Sequence, residues 1–532
     1  MEFDVIVRHG SVFDGTGAAP VAADVGLAGD RIIAVADLAH ATANIEIDAS
    51  GLAVSPGFID VHTHSDLVCF LGDEHRDVAA GNVRQGVTTE ITGNCGFSPF
   101  PYLSGHRADL ERHLEPLLGS CSLPWHDLAG YREQVREAGL YSNAAPCIGH
   151  GSVRAGVMGF ENRAPGDDEM KAMVRLVEEG FEQGAVGVSS GLVYSPGVYA
   201  RADELVALCR AVARYRRPYI THMRGETDMV ADSVREAITT SRAAGVPLHI
   251  SHHKVAGKAN WGRTEETLGI IEAARRDGHD LTLDVYPYTA SSTLLYGLLP
   301  PWVQEGGVPA MLERLAQPRI RERIRQDFEA GLLGWQNTMR AAGWAGIYIS
   351  SCPGQIDAEG KGIVELADNA GTTPSDYVFD LLVAQNARVT MITHTMSEGD
   401  VRRVLSYDAS MIGSDGIPLP GKPHPRWAGS FARVLGRYTR DEHLLGLAKS
   451  VHKATGMAAA RFGLSDRGQL ANGKLADVVV FDPATILDRA TYDSPLLHPT
   501  GVREVLVNGQ FAVRDTELTG RRSGRLLEMA AG

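Results

Sequence analysis

Six side chains have the types and spacing to hold a metal ion beside a proton acceptor: His62, His64, Cys95, His222, His252 and Asp415. His62 and His64 form an H-x-H pair that closes Ser55-Pro-Gly-Phe-Ile-Asp-Val-His-Thr-His64. Residues i and i+2 of a strand point to one face, so both imidazoles can reach one ion. The pair alone is a weak signal, since 19 histidines in 532 residues give roughly one such pair by chance. Its place at the end of an apolar run is what raises it. Cys95 stands in Thr92-Gly-Asn-Cys-Gly96. An isolated cysteine reads as a small core residue or, in a Gly-rich turn, as a side chain brought close to something. His222, in Thr221-His-Met-Arg-Gly-Glu226, and His252, in His249-Ile-Ser-His-His-Lys254, each end a short apolar run. The interval from 222 to 252 is that of one strand–helix unit, which puts the two on neighbouring strands. His249 and His253 have the wrong parity to share the face of His252 and read as structural. Asp415, in Met411-Ile-Gly-Ser-Asp-Gly416, can serve as general base on a water activated by a metal. Asp-Gly is also an ordinary turn pair.

Two other motifs carry less. Gly187-Val-Ser-Ser-Gly191 matches the G-x-S-x-G nucleophile elbow, but Leu192-Val-Tyr-Ser-Pro-Gly197 follows where a helix must open. Ser251-His-His-Lys254 matches S-x-x-K by spacing only. The sequence has no phosphate-binding P-loop and no early G-x-G-x-x-G.

The elements that must position the six residues follow from the hydrophobic pattern. Short apolar runs at Gly57–Val61, Val87–Thr92, Asn143–Ile148, Ala185–Ser189, Pro218–Thr221, Pro247–Ser251, Leu281–Tyr286 and Ser410–Gly413 read as strands. Helical periodicity fills Asp167–Gln183, Asp203–Tyr215, Asp228–Ala244 and Thr264–Asp277. Strand-then-helix repetition implies a parallel sheet, and eight such units imply an α/β (β/α)8 TIM-like barrel, whose sites lie at the C-terminal ends of its strands. All six candidate residues fall at such ends, on strands 1, 1, 2, 5, 6 and 8. Ile347–Ser351 and Val389–Thr393 are surplus strands, so an insertion is expected at about 294–388, of the kind that often forms a lid. Residues 1–56 are β-rich through Phe3–Val7, Arg31–Val35 and Asn44–Ile47, and residues 465–532 through Ala476–Phe481 and Val502–Val507. The expected organisation is therefore a catalytic barrel over 57–464 and a small β-sandwich domain built from both termini.

Composition bounds the function class. Charged residues at 22% and hydrophobic ones at 44% are ordinary globular usage. A net charge of −14 argues against a general nucleic-acid or anionic-membrane partner. The charged N-terminus MEFDVIVRHG is not a signal peptide, and no apolar run is long enough for a spanning helix. The six cysteines, at 69, 95, 121, 147, 209 and 352, are scattered without CxxC pairs. They read as reduced thiols, and the expected location is cytoplasmic.

With these residues in view, the chain resembles the amidohydrolase superfamily and, within it, the D-aminoacylases (N-acyl-D-amino-acid deacylases). The resemblance covers nearly the whole length. Asp4-Val-Ile-Val-Arg-His-Gly-Ser-Val-Phe-Asp-Gly-Thr-Gly17 is similar to the superfamily's opening segment, and Gly468-Gln-Leu-Ala-Asn-Gly-Lys-Leu-Ala-Asp-Val-Val-Val-Phe-Asp482 to its closing one. More specific are Thr92-Gly-Asn-Cys-Gly96, Ser189-Ser-Gly-Leu-Val-Tyr194, Thr221-His-Met-Arg224, Ile250-Ser-His-His-Lys254, Asp284-Val-Tyr-Pro-Tyr-Thr-Ala-Ser-Ser292 and Ile412-Gly-Ser-Asp-Gly416. The resemblance implies that Cys95, His222 and His252 hold a tightly bound Zn2+. It implies that His62 and His64 serve a second, weaker position sharing the Cys95 sulfur, and that Asp415 is the general base of amide hydrolysis. It further implies that Lys254, Tyr286, Ser292 and Arg426 grip the α-carboxylate of a small-molecule N-acyl-D-amino acid, a task suited to cations and hydroxyl donors. No Lys or Arg occurs in Thr293-Leu-Leu-Tyr-Gly-Leu-Leu-Pro-Pro-Trp302, just past Ser292. This favours an apolar side-chain pocket, with Arg314, Arg319 and Arg321 as the nearby cations that the insertion could bring back. Two alternatives stand beside this reading. One is a hydrolase of the same scaffold acting on cyclic amides, hydantoins or dipeptides ending in a D-residue. The other is a non-enzymatic metal scaffold, disfavoured because a structural zinc site leaves no open position facing a base.

Overall fold

The computed structural model describes residues 2–119 and 122–529; Cys121 lies outside the described residues. Eight strands form the centre: β1 (Phe58–Asp60), β2 (Val87–Thr92), β3 (Asn143–Pro146, continued by Ile148–Gly149), β4 (Val188–Gly191), β5 (Tyr219–His222), β6 (Leu248–Ile250), β7 (Leu281–Val285) and β8 (Ser410–Ile412). They pair in parallel in the order β1-β2-β3 and β3-β4-β5-β6-β7-β8. The ring closes just beyond the strand ends. There Asp415 donates its backbone N–H to the His62 carbonyl (2.7 Å), and His64 donates to the Gly416 carbonyl (2.9 Å). The expected (β/α)8 barrel is therefore present. Every residue of β2 is buried, as a parallel strand covered on both faces requires.

The helices of the outer layer form where the periodicity places them. In Asp167–Glu182 the buried residues Ala172, Met173, Leu176, Val177, Gly180 and Phe181 recur at three- and four-residue spacing. Its first turn carries Asp167, Asp168 and Glu169, which suit the positive helix end. Glu169 also accepts the Gly166 N–H (2.7 Å). Strand β4 begins at Val188, three residues later than the expected Ala185. The chain is already beside β3 at Val186, whose N–H bonds the Pro146 carbonyl (2.9 Å).

Between β7 and β8 the chain leaves the barrel. Strands Ala290–Leu294, Ile347–Ser351 and Thr390–His394 form an antiparallel sheet in which Ala290 faces His394 and Ile347 faces Thr393. This sheet reaches outside the expected 294–388 at both ends, because its first and last strands pair with each other and not with the barrel. Strands from both termini form one continuous nine-stranded sheet, where Ala53–Pro56 pairs with Val478–Phe481. Val5, Val7, Val25, Leu27, Val54, Val478 and Val480 share its apolar core. Residues 524–527 return to β3, with backbone bridges Leu140 to Gly524 and Ala144 to Leu526. Among the described residues no helix is long and apolar enough to cross a membrane.

Candidate metal centre

All six strand-end residues converge on one buried point. Cys95 Sγ lies 3.3 Å from His62 Nε2, 3.5 Å from His252 Nε2 and 3.8 Å from His222 Nδ1. Asp415 Oδ1 lies 3.4 Å from His62 Nε2 and 3.3 Å from His64 Nε2. Two overlapping sets of donor atoms result, Cys95–His222–His252 and His62–His64–Cys95–Asp415, and both contain the sulfur. One sulfur facing three ring nitrogens is a poor hydrogen-bond acceptor arrangement but a good ligand set. Nitrogen and sulfur on one tetrahedral zinc stand about 3.6 Å apart, from bond lengths of roughly 2.05 and 2.3 Å. The three observed distances bracket that value.

The backbone is bent to achieve this. Cys95 (φ 53°), His252 (φ 34°) and Asp415 (φ 51°) are all left-handed. Non-glycine residues take that conformation at an energetic cost, and such residues cluster at functional sites. His252 thus lies beyond β6, which ends at Ile250, so the local twist and not strand alternation aims its ring. His62 and His64 likewise follow the last residue of β1.

Charge is arranged in step with the geometry. Burial opposes the Cys95 thiolate, but the His62 and His252 rings and the facing His222 hold the thiol well below its usual range. Burial also opposes Asp415, and Arg426, His252 and His62 outweigh it, holding the carboxyl well below the usual carboxylate range. Asp284 sits behind His62, with Oδ2 3.4 Å from His62 Nδ1 and 2.9 Å from His249 Nε2. His249 is thereby structural, and His253 faces Thr267 Oγ1 (2.8 Å).

Sequence reasoning missed Glu226. It is buried, with Oε1 2.7 Å from Lys254 Nζ and 3.1 Å from His252 Nδ1, and Oε2 3.7 Å from His222 Nε2. Its signal was an i+4 spacing from His222, which an exposed rim carboxylate would share. The Lys254 ammonium also lies 2.7 Å from His252 Nδ1.

A narrow cavity of about 60 Å³ opens above the cluster. His222, His252 and Asp415 form part of its wall with Lys254, Tyr286 and Ser292. Arg426 is not in this wall. It is fully buried, with Nη1 2.8 Å from Asp415 Oδ2, Nη2 donating to the Ser292 carbonyl (3.1 Å) and its guanidinium 4.7 Å above the Tyr286 ring. The ion pair with Asp415 lacks hydrogen-bond alignment, which leaves Arg426 Nε and Nη1 without acceptors. The G-x-S-x-G serine is occupied elsewhere: Ser189 Oγ donates to the Gly93 carbonyl and accepts from the Gly96 N–H (3.1 Å).

A buried cysteine–histidine–carboxylate cluster at the C-terminal rim of a (β/α)8 barrel defines the class, and the comparisons agree. The chain belongs to the amidohydrolase family, whose model matches residues 46–513, and within it to the D-aminoacylase group. It is 38% identical to a D-aminoacylase of Alcaligenes xylosoxydans xylosoxydans, over 99% of this chain and 98% of the relative. It is 36% identical to an N-acyl-D-glutamate deacylase of the same organism, over 100% of this chain and 97% of that one. Among solved structures, an N-acyl-D-glutamate deacylase from Bordetella bronchiseptica superposes with a TM-score of 0.85 at 34% identity, covering 99% of this chain and 100% of that one. That protein was crystallised with zinc and a phosphonate that mimics the tetrahedral intermediate of its reaction. Metal dependence is thus a property of the group.

Proposed function

We propose that this protein is a zinc-dependent N-acyl-D-amino-acid deacylase that releases a carboxylate and a free D-amino acid. The observation that carries the reading is Cys95 Sγ within 3.8 Å of His62, His222 and His252 nitrogens, with Asp415 beside it at the cavity wall. Cys95, His222 and His252 would hold a tightly bound ion, and His62 and His64 a weaker position that shares the sulfur. An ion held there supplies Lewis acidity to the acyl carbonyl and to the attacking water.

The chain's own groups do the rest. Asp415 is ionised and accepts a proton from the water as its oxygen adds to the acyl carbon. It then returns that proton to the amide nitrogen as the C–N bond breaks. Lys254, Tyr286 and Ser292 line the cavity and receive the α-carboxylate, while Arg426, buried behind them, holds Asp415. Stereoselectivity follows, since fixing the carboxylate and the carbonyl leaves one direction for the side chain.

The side-chain pocket is apolar in this reading. The remaining cation in the wall, Arg224, has its charge taken by Glu236 (2.9 Å) and its Nη2 by the Ala200 carbonyl (2.9 Å). Val193, Val198, Gly297 and Trp335 supply apolar wall. Cyclic amides have no α-carboxylate, and these groups would stand idle with them. A reducing compartment, the cytoplasm, suits a site that depends on a free Cys95 thiolate.

The test is zinc-supplemented protein given racemic N-acetyl-methionine, with the released methionine resolved on a chiral column. D-methionine alone is expected. No release from either enantiomer, or release of L-methionine, overturns the reading. A higher kcat/KM for N-acetyl-D-glutamate than for N-acetyl-D-leucine overturns the apolar pocket.

A further inference from the structure

Each histidine that offers one ring nitrogen to a metal must carry its proton on the other, and something must accept that proton. For His222 the nitrogen facing Cys95 is Nδ1, and for His252 it is Nε2. The outward nitrogens, His222 Nε2 and His252 Nδ1, both face Glu226, the first at 3.7 Å from Oε2, longer than a hydrogen bond and with no other partner, the second at 3.1 Å from Oε1. One carboxylate therefore spans two adjacent strand ends. Lys254 complicates the picture, because its ammonium lies 2.7 Å from the same His252 Nδ1. An ammonium can only donate. If it donates to Nδ1, the proton of His252 moves to Nε2 and the inward lone pair is lost. Glu226 Oε1, 2.7 Å from Lys254 Nζ, offers that ammonium a better acceptor.

We propose that Glu226 is a positioning residue for metal uptake: its carboxylate takes the outward N–H of His252, faces that of His222 with its second oxygen so that the proton is favoured on the outward nitrogen, and draws the Lys254 ammonium away from His252, so that both inward nitrogens present lone pairs to one ion. The proposal rests on the reading that Cys95, His222 and His252 are the tight ligands. It uses the two oxygens of a carboxylate, both of which only accept. Glutamine has nearly the same shape but one oxygen and one NH2. Whichever ring meets the NH2 must keep a bare nitrogen outward, and its proton then sits where the ion needs a lone pair.

The readout is zinc affinity, measured by competition with a chromophoric chelator, alongside the melting temperature of the metal-free protein. Glu226→Gln is expected to weaken zinc binding about ten- to a hundredfold. Removing Glu226 also leaves a buried ammonium unpaired, so a second variant separates the two roles. Glu226→Gln combined with Lys254→Met removes the unpaired charge and is expected to melt near wild type without metal, yet to bind zinc as weakly as Glu226→Gln. Lys254→Met alone is expected to keep wild-type zinc affinity. Wild-type affinity in Glu226→Gln, or its recovery in the double variant, overturns the proposal, because Glu226 would then only neutralise Lys254. If the wild-type chain itself takes up no zinc in this titration, the ligand reading fails first.

Discussion

The two halves of the metal pocket share a sulfur but are braced differently. Behind Cys95, His222 and His252 stands Glu226, a buried carboxylate facing the outward nitrogens of both rings and clamped by Lys254. Behind His62 stands Asp284 at 3.4 Å, already committed to His249 at 2.9 Å. Behind His64 no carboxylate comes within hydrogen-bond reach among the described residues: the buried Asp66 acts on it only at longer range, and His64 Nδ1, like His222 Nε2, has no hydrogen-bond partner. The carboxylate of this second half, Asp415, is drawn toward Arg426. Orientation of a ligand before the ion arrives removes an entropic cost of binding. On the proposed reading the difference suits one half to keeping an ion, while the other, whose carboxylate Asp415 is also paired with Arg426, is suited to work beside it.

Four substitutions sharpen or break this contrast. The largest effect is expected at the braced half. His222→Ala should drop both tightly held zinc and D-methionine release, the latter by on the order of a thousandfold as Lewis acidity is lost. His64→Ala should keep one tight zinc per chain by elemental analysis, and loss of that ion would break the comparison. Asp415→Asn comes next. It should lower kcat about 10²- to 10⁴-fold, the range for loss of a general acid–base group, while the tight zinc stays in place. The smallest effect is expected at Ser292→Ala, which deletes one hydroxyl from the carboxylate grip. A fall in kcat/KM of about tenfold, carried by KM, fits the loss of one hydrogen bond to a charged group.

Much of the site was legible in the sequence because barrels put chemistry at strand ends. His62, His64, Cys95, His222, His252 and Asp415 each follow a short apolar run, and eight such runs define one rim. What was not legible has physical reasons. The strand-alternation argument for His62 and His64 leads to the right place although both lie past β1, since the closing contacts to residues 415 and 416 hold them there. Glu226 looked like any rim carboxylate, because its partners His252 and Lys254 come from the next strand–helix unit and only the pairing of β5 with β6 brings them near. Arg426 was expected at the substrate, but it packs behind Asp415 and Ser292, a depth that no local pattern encodes. The bounds of the insertion were missed for a similar reason. Ala290–Leu294 finds its partner about a hundred residues later, at Thr390–His394, and pairing over such a distance leaves no local trace.

The left-handed backbones at Cys95, His252 and Asp415 have a consequence for how the chain can change. At each, glycine would adopt the same conformation without the clash of a side chain, and a β-branched residue would clash more. Strain of this kind is on the order of 1–3 kcal/mol per residue. Heat resistance alone would not carry the chain to glycine at all three, however: at Asp415 it would leave the buried Arg426 guanidinium without its counter-ion, a loss of about 3–5 kcal/mol that outweighs the strain relieved.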